Sequence, residues 1–274
     1  MRSLGALALT IAFVFSPIAA GVAGDRDTAL DAAIGGGHRP AEHKARDVYR
    51  HPYETLRFFK LEPGLSVAEI WPGGGWYTHI LAPYLAESGN LILVGFNVSA
   101  PSEREWKRLD MYRTWMAEQP EVYGTMTLAD FNANDDDIAP AGSLDRVYTF
   151  RNLHNWTAGG YADVAFRAFF KALKPGGYLG LVDHRLDEAD AADHRDGYVK
   201  PSYAIALAEA AGFEFAGSSE VNANAKDTKD HPAGVWTLPP RLRRAKEDPP
   251  EVTAGYVAIG ESDRMTLLFR KPGG

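Results

Sequence analysis

Three observations predict an α/β domain with a doubly wound, mostly parallel sheet and an antiparallel last strand. Strand-length apolar runs alternate with helix-length segments five times along the chain. The run Leu91-Ile92-Leu93-Val94-Gly95-Phe96 is continuously apolar, as a strand covered on both faces requires. Three consecutive glycines, Gly73, Gly74 and Gly75, follow the first strand and open a helix, the signature of a strand–turn–helix junction.

The elements follow in order. Residues 25–40, with Gly35-Gly36-Gly37, predict a mobile leader. From 42 to 59 the apolar spacing is helical, and His51-Pro52 divides it into two short helices. Arg46, Asp47, Tyr49, Arg50 and His51 form a dense polar and aromatic group there, either a solvated face or a lid over a site. The first strand is expected at 66–70, and Pro72 ends it by driving Trp71 away from helical geometry. A helix runs from the glycine turn to about residue 86, with Pro83 tolerable near its start or as a kink. Residues 91–96 are the second strand, 103–118 an amphipathic helix, 125–128 a third strand and 144–150 a fourth. Asp135-Asp136-Asp137 reads as a solvated loop, because adjacent carboxylates repel. A helix over 161–173 ends in Lys174-Pro175-Gly176-Gly177 and leads into a fifth strand at 178–182. A helix at 202–211, a sixth strand at 213–219 and a closing strand at 264–269 complete the order. Residues 222–254 are polar and hold five prolines, which predicts an insertion or partly disordered excursion.

Composition bounds the function. The chain has 274 residues, 45% hydrophobic and 24% charged, enough for one sizeable core. A net charge of −7 argues against general nucleic-acid binding, so a small-molecule partner is expected. Residues 1–23 carry the marks of a signal peptide: Arg2, an apolar run, and Gly21-Val22-Ala23 as a small-x-small cleavage site. Cleavage there leaves residues 24–60 as leader and helical lid and 61–274 as the α/β domain, and predicts export to the periplasm without a stable membrane anchor. The chain has no cysteine, so neither a lipid anchor on cysteine nor a disulfide is available, and stability must come from the core.

In a sheet of this type ligands sit beyond the carboxyl ends of the strands. That places Trp71–Gly75, Asn97, Asp130, Asn152–His154 and Asp183–His184 around one cleft. A glycine turn at a helix start lets backbone approach a ligand and turns N–H groups toward it. A dinucleotide fingerprint needs a small residue at Thr78, which is absent. With the motifs Glu69-Ile70-Trp71-Pro72-Gly73-Gly74-Gly75, Arg151-Asn152-Leu153-His154, Leu173-Lys174-Pro175-Gly176-Gly177 and Asp263-Arg264-Met265, the chain resembles the class I S-adenosylmethionine (SAM)-dependent methyltransferases. It is similar, more narrowly, to a group of exported bacterial members with a P-G-G-G turn, over about residues 46–271. The resemblance implies a Rossmann-like sheet, transferase activity and S-adenosyl-L-methionine as cofactor. It puts Glu69, Gly73 and Gly75 under the methionine part, Asn97 by the ribose and Asp130 by the adenine, with Trp71, Pro72 and Gly74 of the same turn also cofactor-binding. Two positions depart from the pattern: Trp71 replaces a glycine, and Asn97 an acidic residue.

Methyl transfer needs an aligned acceptor and, for an oxygen or nitrogen nucleophile, a base. His154 and His184 are the expected bases, and Asn152 the orienting amide; each histidine has a structural alternative as a hydrogen-bonded core residue. Asp183, His184 and His194 offer nitrogen and oxygen ligands, but their spacing matches no metal motif, so no metal is expected. Two other readings stay open, an exported binding protein that keeps the fold without the transfer, and a nicotinamide oxidoreductase.

Overall fold

The computed structural model describes residues 26–95, 101–131, 137–193 and 195–273. The proposed signal peptide, Asn97 and His194 lie outside them, as do Asp135 and Asp136. Four short helices come first: α1 (Thr28–Gly35), α2 (Ala41–Lys44), α3 (Asp47–Arg50) and α4 (Pro52–Phe58). The alternating core then runs β1 (Ser66–Ile70), α5 (Thr78–Leu85), β2 (Asn90–Val94), α6 (Glu103–Glu118), α7 (Pro120–Tyr123), β3 (Thr127–Ala129), β4 (Leu144–Phe150), α8 (Leu153–Gly159), α9 (Ala162–Ala172) and β5 (Leu173–His184). It ends with α10 (Pro201–Ala210), β6 (Glu214–Ser219), α11 (Pro250–Ile259) and β7 (Arg264–Arg270).

The seven strands form one sheet in the order β3-β2-β1-β4-β5-β7-β6. The first five are parallel, and β7 inserts antiparallel between β5 and β6. The α/β class, the mostly parallel sheet and the antiparallel last strand are therefore as expected. Side chains alternate with period two. Ala68, Ile70, Val147, Leu179, Leu181, Leu267 and Phe269 enter a core with α8 and α9 on one face. Val67, Leu93, Tyr148, Val182 and Leu268 enter a second core with α1 and α5 on the other. Gly180 is the place where the second face needs a missing side chain. A Cβ there would lie 2.5 Å from the Phe59 ring.

Three expectations are corrected. Residues 28–35 are a packed helix and not a mobile leader. Leu30 and Ala33 are buried, and Asp27 caps the helix by accepting from the Leu30 N–H. Pro83 sits inside α5 and near its end. The carbonyl of His79, which proline leaves without an N–H partner, is held by His38 Nε2 at 2.7 Å. Residues 222–254 are ordered. Asp227 organises them, accepting from the Tyr198 hydroxyl at 2.9 Å, the Lys229 N–H at 3.0 Å and the Asp263 N–H at 2.8 Å. Val235 and Leu238 are buried below. Polar composition concealed this order because the segment folds around a carboxylate as much as an apolar centre.

Candidate functional site

The chain leaves the sheet abruptly at the ends of β1 and β4. Trp71 and Arg151, the first residues past those strands, both take left-handed backbone, with φ of 48° and 65°. Their N–H groups donate to carbonyls near the ends of the neighbouring strands, Val94 on β2 and Val182 on β5, each at 2.7 Å. Non-glycine residues in this region are strained, and such strain gathers at functional sites. Beyond these two turns lies a cavity of about 970 Å³.

Its walls bring together most of the expected residues. Glu69, Trp71, Pro72, Gly73, Gly74, Asn152, His154 and His184 all line it. Gly75 does not; it backs the turn, and a Cβ on it would stand 2.7 Å from the Trp115 ring. Asp130 follows β3, is half-buried, and is not among the lining residues. Trp236, Pro239, Pro240, Arg241 and Arg243 from the ordered excursion roof the cavity, while Arg46 and Arg50 close it from the helical lid.

Each side chain has a definite setting. Glu69 is 2% exposed and accepts from the Thr78 hydroxyl at 2.7 Å. Burial pushes its carboxyl up to about 8, against the smaller opposite effect of that hydrogen bond. Trp71 crosses to β2, its indole against Gly95, and its Nε1 is buried without an acceptor. Asn152 Nδ2 donates to the Ile70 carbonyl at 2.9 Å and lies 3.2 Å from Thr149 Oγ1. That amide nitrogen ties β4 to the end of β1, so Asn152 positions the glycine turn rather than offering those protons to an acceptor.

The histidines differ. Asp183 is fully buried, and its carboxylate accepts from the His154 N–H at 3.1 Å and the His184 N–H at 2.7 Å. It also takes His154 Nδ1 at 2.9 Å. Against a carboxylate, Nδ1 carries the proton, which leaves the His154 Nε2 lone pair available. His184 Nδ1 bonds Ser262 Oγ at 2.5 Å. Burial, then the charges of His154 and Arg151, hold His184 well below the ordinary histidine range, so it is neutral at pH 7. Ligand atoms of His154, Asp183 and His184 lie within 4.8 Å of one another, a grouping that could hold a metal.

Sequence reasoning missed Glu261, Ser262 and Trp236. A signal for the first two existed. An antiparallel last strand starts at the edge where parallel strands end, so the polar run Glu261-Ser262-Asp263-Arg264 before β7 had to reach the cleft. Trp236 gave no such signal, since only the folding of 222–254 brings it 6.1 Å from the His154 ring.

No protein-family model and no curated protein matches the chain. Solved structures do. The [4+2]-cyclase SpnF matches at a TM-score of 0.60 and 18% identity, over 90% of this chain and 92% of its own. CrArsM, an arsenic(III) S-adenosylmethionine methyltransferase from Chlamydomonas reinhardtii, matches at 0.52 and 15% identity, over 89% and 73%. A SAM-dependent methyltransferase from Aquifex aeolicus matches at 0.50 and 17% identity, over 67% and 93%. The fold is thus the one that class I SAM-dependent methyltransferases have, and one chain with the same fold is a cyclase.

Proposed function

We propose that the protein is a SAM-dependent methyltransferase that acts on a small molecule through an oxygen or nitrogen nucleophile, with His154 as the base. The observation that carries this reading is the Asp183–His154 pair on the wall of the cavity that the glycine turn opens. A protein that only bound a ligand would have no need of a histidine whose tautomer is fixed and whose second nitrogen is kept available.

The residues present fit the cofactor. A Cβ at Gly73 or Gly74 would meet nothing within 4 Å, so a ligand can lie against this backbone. The buried Trp71 Nε1 is a donor in want of an acceptor, and Glu69 is a carboxyl suited to a cationic group. Bound there, SAM would supply an electrophilic methyl group on sulfur. His154 Nε2 would take the acceptor's proton, while Glu69, Trp71 and the Gly73–Gly74 backbone would hold the group that supplies the methyl. Asp183 stabilises the imidazolium that results. Neutral His184 and Ser262 line the far wall, and Trp236 with the two prolines limits water. Nicotinamide chemistry is disfavoured, because Thr78 is buried where a small residue is needed and its hydroxyl is committed to Glu69.

The same reading includes export, from the sequence signals at residues 1–23. Among the described residues no helix is long and apolar enough to cross a membrane. Calorimetric titration with SAM, S-adenosylhomocysteine and NAD tests the cofactor assignment. Binding of the two sulfur compounds and not of NAD is expected; binding of none would return the chain to the class of ligand-binding proteins.

A further inference from the structure

We propose that the methyl acceptor is anionic, and that arginines at the β5–β7 side of the cleft hold its carboxylate or phosphate. The identity of the occupant as an acceptor rests on the methyl-transfer reading; the anion site rests on geometry alone. Arg46 and Arg50 come from the lid, Arg151 follows β4, and Arg264 begins β7. Three of these guanidiniums converge on one carboxylate. Arg46 Nε lies 2.5 Å from Glu261 Oε1, Arg50 Nε lies 3.1 Å from Oε2, and Arg264 Nη2 also pairs with Oε2. The fourth, Arg151, makes no side-chain hydrogen bond or ion pair among the described residues, yet feels Arg264, Glu261 and Arg46.

The donors outnumber their acceptors. Arg46 Nη2, Arg50 Nη2 and Arg264 Nε are buried with no hydrogen-bond partner. Arg50 is 3% exposed and Arg264 2%. Buried N–H groups without acceptors are rare in folded proteins and call for an occupant. Charge says the same. Besides Glu261, Asp183 is the carboxylate that acts on Arg151 among the described residues, and its oxygens are already taken by two backbone N–H groups and His154. Four cations face two anions, and the excess raises the free energy of each arginine. Burial and Arg151 hold Arg50 well below the usual arginine range, and burial and Arg264 bring Arg151 down to about 10.

This field decides the alternative use of the same wall. A divalent cation on His154, Asp183 and His184 would sit beside Arg50, Arg151 and Arg264, all three of which act on His184. The repulsion opposes a metal there and favours an anion. Sheet order sets only the β7 end of the cluster apart from the glycine turn, since Arg151 follows β4 beside β1 and Arg50 stacks over the Trp76 ring at 4.7 Å. Arg264 pairs with His184 in register, on strands two and three places from β1, roughly 10–14 Å at ~4.8 Å per strand. Arg46, Arg50 and Arg151 line the shared cavity. An anion held there lies beside His154 and His184, on the acceptor side. Guanidinium forks match the paired oxygens of carboxylate and phosphate, which is why the chemistry is given as either.

The test is calorimetric titration of the protein with inorganic phosphate, with and without saturating S-adenosylhomocysteine, in wild type, Arg151→Gln and Arg46→Gln. Arg151→Gln breaks no bond within the fold, and Arg46→Gln is a second, partly exposed site should the first variant misfold. Phosphate is expected to bind wild type, to bind the homocysteine-saturated protein equally well, and to bind either variant roughly ten-fold or more weakly, the worth of one charge-assisted hydrogen bond. S-adenosylhomocysteine affinity should not change in Arg151→Gln. No phosphate binding to wild type, or unchanged binding in both variants, overturns the anion site. Competition between phosphate and S-adenosylhomocysteine, with both weakened in Arg151→Gln, overturns the acceptor assignment and makes the arginines the seat of the cofactor's own carboxylate. Phosphate binding without any S-adenosylhomocysteine binding would sink the methyl-transfer reading and leave the anion site standing.

Discussion

Glu69 shows how one buried group links stability to binding. An ordinary glutamate ionises near 4.5, and here burial moves that to about 8. Between those values the folded protein holds a proton that the unfolded chain has lost. Stability therefore falls as pH rises through this window, by about 1.4 kcal/mol per unit and on the order of 5 kcal/mol in all. Glu69→Gln should remove that slope, and urea unfolding at pH values across the window measures it; an unchanged slope would mean the carboxyl ionises normally. A cationic ligand beside Glu69 favours the carboxylate, so SAM binding at pH 7 should release a proton, seen as buffer-dependent calorimetric heat. SAM affinity that stays flat from about pH 6 to pH 9 would remove Glu69 from the cofactor site. His154 makes a kinetic prediction. On a demonstrated acceptor, His154→Asn should lower turnover roughly 10²–10⁴-fold, the worth of a positioned base, with SAM affinity unchanged. Asp183→Asn should follow it, since the amide can bond Nδ1 in the wrong tautomer. His184→Asn should cost less rate, because its Nδ1 is committed to Ser262. If His184→Asn proved the more damaging, the two roles would be exchanged. The proposed roles were half legible in the sequence: strand-end position marked both histidines, but only the three-dimensional contact of His154 Nδ1 with Asp183 distinguishes them.

Among the elements, the glycine turn separates two jobs that looked alike in sequence. By sequence Gly73 and Gly75 have one role, a turn whose backbone lies against the cofactor. Both have positive φ, at 62° and 77°. The space behind them differs: Gly73 opens on the cavity, whereas Gly75 abuts Trp115 and Tyr112. Gly73→Val should therefore fold with a strain of about 1–2 kcal/mol and lose S-adenosylhomocysteine binding. Gly75→Val adds a ring clash, and should lower the melting temperature by more than Gly73→Val does. Equal melting temperatures for the two variants would contradict this division. The excursion gives the second test at this scale. Asp227 gathers the roof through four donors, counting His231 Nε2 at 2.8 Å. Asp227→Ala should leave the sheet intact yet open residues 222–249 to limited proteolysis, while the wild type resists. Strands were legible because apolar runs under both faces leave few alternatives. The roof and α11 were not, because their order comes from long-range polar contacts, which local periodicity does not record.

At the scale of the molecule, chain reversal at one strand sets the site. The antiparallel β7 delivers Glu261, Ser262 and Arg264 to the edge where β1, β4 and β5 end, so the cleft gains a cationic wall in a chain of net charge −7. Composition alone could not reveal that local excess, although the sheet class and the cleft could be read from strand order. The two cores carry the stability without disulfides, since the chain has no cysteine, and reductant should leave the melting temperature unchanged. Export makes the last prediction. The proposed cut after Ala23 leaves Asp27 in the mature chain, and Asp27 is the residue that caps α1, accepts from Tyr84 at 2.6 Å and offers its N–H to Tyr53. A chain starting at Gly24 should then melt with the full-length protein. One starting at Ala29 loses the cap, worth about 1 kcal/mol, and with it roughly 2–4 °C for a domain of this size. Mass spectrometry of the protein from its native host should find Gly24 as the first residue. Intact Met1 in the soluble cytoplasmic fraction would refute export and place the protein beside the cell's own SAM supply, with no change to the chemistry proposed for the cleft.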